Sequence, residues 1–185
     1  MTTTEIRLWT VEEYHRMIEA GILTTDDQVE LLEGRIIQMS PQLPLHAGTT
    51  QRSDRFLQNL FRDLAEIRVQ LPITLSTSEP EPDIAVVRID PNAYGDRHPN
   101  ANDIFLLIEI AYSTLNIDRQ EKAPIYAKAN IGDYWILDIN ERRVYIFRNP
   151  TPSGCQQEIV LTVNDGISPL AFPTIEIPFS QLFLP

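Results

Sequence analysis

Ile104-Phe-Leu-Leu-Ile-Glu-Ile110 is a continuous apolar run interrupted by one carboxylate, Glu109. A run of this length, without polar alternation, suits a strand buried on both faces of a sheet. It is far short of the ~18 apolar residues that would cross a bilayer. An ionised glutamate inside such a strand is costly unless it is paired or binds a metal. Upstream, Asp83 directly precedes a second apolar strand, Ile84–Val87. The separation, 109 − 83 = 26 residues, allows two adjacent strands joined by a loop. At a strand spacing of roughly 5 Å the two carboxylates can share one cation. An oxygen-only site of this kind suits a hard divalent ion such as Mg²⁺. Blander readings exist for each residue. Asp83 can bond to a loop at a strand start, and Glu109 can stand at a sheet edge or pair with an arginine.

Downstream, a helix is expected over Asp118–Ala129. Asp118 and Lys122 lie four apart, so they share a face and can pair with each other. Alternatively, Lys122 points into the carboxylate site, where it would orient a water and offset charge developing on a phosphate. Pro124 disfavours a helix interior and suits a first turn, so the helix either starts near Ala123 or kinks there. Lys128 is the other lysine on this segment.

The remaining elements follow from local signals. Thr10-Val-Glu-Glu13 forms a capping box ahead of a short helix that stops at Gly21. Val29–Leu32 and Arg35–Met39 read as a hairpin around Glu33-Gly34. Pro41 and Pro44 mark a loop. Phe56, Leu57, Leu60, Phe61 and Leu64 recur at helical spacing within His46–Leu64, and Arg52, Arg55 and Arg62 recur along the same segment. Ile67–Leu71, Tyr134–Asp138, Arg143–Phe147, Gln157–Val163 and Thr174–Ile177 are further expected strands. With no repeats and no separating linker, residues 1–185 read as a single domain.

Composition sets the outer bounds. The chain has 185 residues, 43% hydrophobic and 22% charged, an ordinary globular balance. Its net charge of −11 argues against a protein that coats nucleic acid through bulk charge. Yet 12 of the 15 basic residues fall between positions 51 and 150, which permits a locally basic face. The single cysteine, Cys155, forms no internal disulfide, and no Cys/His cluster suggests zinc. The opening Met1-Thr-Thr-Thr-Glu-Ile-Arg7 lacks the apolar stretch of a signal peptide. A cytoplasmic protein with no membrane association is expected.

Several of these residues occur in the order of a known pattern: Pro82-Asp83, Ile108-Glu109-Ile110, Ser113-Thr114, Asp118, Glu121-Lys122, Tyr126 and Asp133-Tyr-Trp-Ile-Leu-Asp138. The chain resembles the putative restriction endonuclease domain family, formerly a domain of unknown function, in the PD-(D/E)XK nuclease superfamily. The hairpin Glu30–Ile37, Met39-Ser-Pro41 and His46 resemble that family's amino-terminal block. The resemblance implies an α/β, restriction-endonuclease-like fold: a mixed central sheet flanked by helices, with an N-terminal helix and hairpin. It implies that Asp83 and Glu109 are the two motif acids. The superfamily's lysine usually lies two residues after the second acid, but Ala111 stands there. The family's lysine comes from the following helix, which matches Lys122. His46 matches a position that could touch phosphate or a metal-bound water, and Glu30 could lend a further carboxylate to the metal.

The leading expectation is therefore a Mg²⁺- or Mn²⁺-dependent endonuclease acting on DNA. The metal would be held by Asp83, Glu109 and the Ile110 carbonyl, with Lys122 orienting the attacking water. A homodimer would bring two such sites to the two strands of a duplex. A second reading keeps the fold without the chemistry, as a dimeric or partner-binding module; Ala111 and Pro124 favour it. A third is a hydrolase of a small phosphorylated molecule. No Gly-rich phosphate loop accompanies any of them.

Overall fold

The protein is described from a computed structural model covering residues 6–185. The first five residues, which open the stretch read above for a leader, lie outside the described residues. Helix α1 (Val11–Glu19) begins at the expected capping box. The Glu13 amide donates to Thr10 Oγ1, and the Thr10 amide donates to Glu13 Oε2, both at 3.1 Å. The hairpin β1 (Val29–Leu32) and β2 (Arg35–Gln38) turns at Glu33-Gly34, both with positive φ. That is the turn whose twist matches paired strands. Gly34 is required there twice over. Its φ is +76°, and a Cβ would lie 2.7 Å from Leu8 Cβ and 2.9 Å from the Trp9 carbonyl.

Helix α2 (Pro44–Phe61) starts two residues before His46. Pro44 does not hold the segment in a loop; it occupies the first helical turn, where its fixed φ and missing N–H carry no penalty. Strands β3 (Glu66–Val69) and β4 (Ile84–Val87) then lead to β5 (Ile104–Ala111). After the helical crossover come β6 (Asp133–Asp138), β7 (Arg143–Thr151) and β8 (Gly154–Thr162). These six form one sheet in the order β3-β4-β5-β6-β7-β8. Only the β5–β6 pair is parallel. A parallel pair needs a long crossover, and the helical segment between β5 and β6 provides it. The expected tail strand at Thr174–Ile177 shrinks to a two-residue pairing of β9 (Gly166–Ile167) with β10 (Ile177–Pro178).

β5 lies inside the sheet with both faces covered. Leu106, Ile108 and Ile110 pack with Leu57 and Phe61 of α2 and with Phe179 and Phe183 of the tail. Leu107 and Ala111 face the opposite way, into a cluster with Leu32, Ile125 and Tyr126. Alternation along the strand puts Glu109 on that second face, under the crossover helix.

The crossover differs from both expected alternatives. It is helical from Leu115, with α3 (Leu115–Ile117), a π-turn (Asp118–Lys122) and α4 (Ala123–Lys128) in unbroken succession. The Ala123 amide bonds to the carbonyl of Asp118, five residues back. Pro124 explains the wider turn: in a regular α-helix its ring would clash with the carbonyl four residues earlier and leave it unbonded. The helix neither starts at Ala123 nor breaks there. No described helix is long and apolar enough to cross a membrane.

Candidate active site

Four elements converge on one pocket. β5 brings Glu109, the chain entering β4 brings Asp83, hairpin strand β1 brings Glu30, and the π-turn brings Asp118 and Lys122. All five side chains line a cavity of about 130 Å³ together with His46 and Gln70. Each of the five belongs to a buried residue.

The hairpin is held beside this cavity by backbone pairing. Leu31 and Glu79 exchange amide–carbonyl bonds of 3.3 and 2.7 Å, and the Glu81 amide donates to Glu30 Oε2 at 3.2 Å. Glu30 thus faces the helix, where its Oε1 lies 3.2 Å from Lys122 Nζ. Lys122 Nζ also donates to Glu109 Oε1 at 3.1 Å. Lys122 therefore points into the pocket and, among the described residues, forms no ion pair with Asp118. Glu109 Oε1 accepts a second bond from the Tyr126 hydroxyl at 3.0 Å, and Glu109 Oε2 lies 3.4 Å from the Asp83 amide.

Asp83 is equally tied down. Its Oδ2 accepts the Ile110 amide at 2.8 Å and lies 3.0 Å from His46 Nε2, while its Oδ1 accepts from Gln70 Nε2 at 3.2 Å. His46 thus touches Asp83. Ile110 meets Asp83 through its N–H group. Lys128, the alternative lysine, bonds the exposed Glu33 at 2.6 Å, outside the pocket.

Three contributors carried little signal. Asp118 had a sufficient explanation as a helical partner of Lys122, yet it is buried and its Oδ2 has no hydrogen-bond partner. Tyr126 stood in the family's pattern without a role, and it is also part of the buried core. Gln70 carries its side chain to Asp83 from a backbone with φ +51°, a conformation no residue type announces by itself.

The electrostatics are unbalanced. Four buried carboxylates, Glu30, Asp83, Glu109 and Asp118, share the pocket with one ammonium. Burial pushes the Glu109 carboxyl well above the usual carboxylate range; Lys122 opposes the shift, and Asp118, Asp83 and Glu30 reinforce it. Burial likewise pushes Asp118 up to about 6, against the pull of Lys122. For Lys122, burial alone would lower the pKa, but Glu109, Glu30 and Asp118 carry it above its ordinary range. The lysine is thus a fixed cation. Burial lowers His46, while the bond to Asp83 and its charge outweigh that and raise it overall. Surplus negative charge, an all-oxygen donor set and the orphaned Asp118 Oδ2 together fit a hard divalent cation. As the side chains stand, no group of three His, Cys, Asp or Glu among the described residues is gathered closely enough to hold one.

Comparison with known proteins agrees with this architecture. The model of the Uma2 family, described as "Putative restriction endonuclease", matches residues 11–180. The fold is similar to the crystal structure of a putative nuclease from Anabaena variabilis, with a TM-score of 0.75 and 19% identity. The match covers 94% of this chain and 97% of that one. No curated protein matches the chain. The sequence order of motifs, the mixed sheet and the family match over most of the chain lead to one conclusion: the chain belongs to the Uma2 putative restriction endonuclease family.

Proposed function

We propose that the chain is a divalent-metal-dependent endonuclease that hydrolyses DNA phosphodiester bonds at this pocket. The observation that carries the reading is the gathering of four buried carboxylates and one lysine in a single pocket, with Asp118 Oδ2 left unpartnered. Asp83, Glu109 and the Ile110 carbonyl would hold Mg²⁺ or Mn²⁺, and Asp118 adds a fourth oxygen source. When bound, such an ion supplies Lewis-acid stabilisation of charge on the phosphoryl and leaving oxygens.

The protein's own groups divide the remaining work. Lys122 has three N–H donors; Nζ donates to Glu109 and forms an ion pair with Glu30. Donor capacity remains for a water or a phosphoryl oxygen. Because its pKa is raised, Lys122 acts as a positioned cation and donor, not as a base. Glu30 and Tyr126 are positioning residues: one aims the ammonium, the other fixes the Glu109 carboxylate. His46 and Gln70 hold Asp83 in the same way. A two-fold homodimer would present two such centres to a duplex.

One observation favours the non-catalytic module: the Asp83 carboxylate is already occupied by three protein donors. Incubating supercoiled plasmid with wild-type protein across a range of Mg²⁺ and Mn²⁺ separates the two readings. Nicking that a chelator stops supports the nuclease. Intact plasmid under every condition favours the module.

A further inference from the structure

Outside the pocket, the solvent face of α2 has a composition unlike the rest of this acidic chain. Gln51, Arg52, Arg55 and Asn59, with Gln181 from the tail, line a groove of about 420 Å³ that also reaches Gly48, one half-turn past His46. No carboxylate lines it, although the chain has 26 acidic residues. Positions 52, 55 and 59 follow the i, i+3, i+7 spacing of a single helical stripe. The interleaved Asp54 lies to one side and is engaged by Gln58 at 2.8 Å.

These arginines are also unspent. Among the described residues, Arg52, Arg55 and Arg62 form no ion pair. The Arg52 guanidinium makes one bond, 3.3 Å to the Ser180 carbonyl, and its Nε is buried without a partner. That bond pins a planar, permanently charged fork at the groove wall. Such a fork matches phosphate oxygens bidentately. The carboxylate pocket has no arginine and one buried lysine, so it offers a polyanion few cations of its own. Along the helix axis Arg52 and Arg55 lie roughly 9 and 14 Å beyond His46, and at about 100° per residue they face away from it, so the groove and the pocket lie on different sides of α2.

We infer that the Arg52–Arg55 groove on α2 binds the phosphodiester backbone of a nucleic-acid strand, outside the catalytic pocket. The inference rests on reading the chain as a nucleic-acid enzyme, but it concerns binding, not cleavage. The groove supplies affinity for the strand, apart from the chemistry proposed for the carboxylate pocket.

The test is fluorescence anisotropy of a labelled oligonucleotide, single-stranded and duplex, in chelator so that nothing is cut. Wild type is expected to bind with a salt-dependent affinity. Arg52→Gln with Arg55→Gln should weaken binding roughly tenfold at low salt. The log–log salt slope for the single strand should become shallower by about 1.4, two contacts at about 0.7 each. Arg55→Glu alone, at an exposed residue whose side chain makes no described hydrogen bond, should weaken binding without disturbing the fold. Inorganic phosphate at matched ionic strength should not displace the strand. Unchanged affinity or slope in the variants overturns the inference, as does wild type that binds no oligonucleotide. Displacement by free phosphate overturns it too, leaving only a small-anion site. Plasmid nicking judges the catalytic reading separately. Nicking by wild type with unaltered binding by the arginine variants removes the groove alone. Arginine-dependent binding without any nicking removes the nuclease alone.

Discussion

Lys122 sits between Glu30 and Glu109, so removing its ammonium leaves buried carboxylates without their cation. Breaking a buried ion pair from one side typically costs about 3–5 kcal/mol. Metal-free Lys122→Ala is accordingly expected to unfold at clearly lower urea concentration than wild type. Its Mn²⁺ affinity should be largely retained while the single-turnover cleavage rate falls. Lys122→Arg should rescue little of that rate, since a planar fork does not replace a compact ammonium. A Lys122→Ala protein that cuts at the wild-type rate would remove this lysine from the chemistry. Asp83 and Glu109 were legible in the sequence because a carboxylate in or beside a buried strand demands a partner. Asp118 and Tyr126 were not. Each had an adequate ordinary role, as a helical ion pair and a core ring, and only the packing of the helix over β5 shows that both point at one acid site.

At the scale of elements, the hairpin and the π-turn aim these groups. The hairpin delivers Glu30, and its turn depends on Gly34. Gly34→Ala would force a left-handed residue to carry a Cβ into Leu8 and the Trp9 carbonyl. A loss of about 1–3 kcal/mol in a denaturant titration is expected, with weakened cleavage because Glu30 no longer braces Lys122. Unchanged stability would show that the hairpin end adjusts freely. The hairpin, the capped first helix and the buried strand were readable because each has a local signature. The crossover was only half readable. Pro124 announced a departure from regular helix, but whether the chain starts, kinks or widens there depends on which carbonyls find other donors. The Asp118 carbonyl is taken by both Ala123 N–H and the Tyr134 hydroxyl at 3.2 Å, a partner on another strand. The order of the six strands was likewise not readable, because pairing is decided by contacts distant in sequence.

Across the whole molecule, the surplus of buried negative charge links stability, pH and metal. Asp118 is raised to about 6 in the folded chain, so its protonated form is the one that folding favours. Its contribution is fully present below about pH 4 and is lost as pH rises through 6. Metal-free Asp118→Asn should therefore be more stable than wild type above pH 6, by on the order of 2–3 kcal/mol, with the gap closing toward pH 4. Thermal unfolding at several pH values reads this directly, and a gap independent of pH would contradict it. Divalent ions need the ionised carboxylates, so stabilisation by Mn²⁺ should run the other way and grow as pH rises through the same window.

The account stands or falls on whether these carboxylates make a metal-dependent phosphodiesterase. The most direct measurement compares single-turnover DNA cleavage by wild type and Asp83→Asn, each with Mn²⁺ and with chelator. Asp83→Asn removes one negative ligand while nearly preserving shape. The account predicts cleavage only by wild type with metal. Cleavage by Asp83→Asn at the wild-type rate, or cleavage by neither protein at any metal concentration, would contradict it.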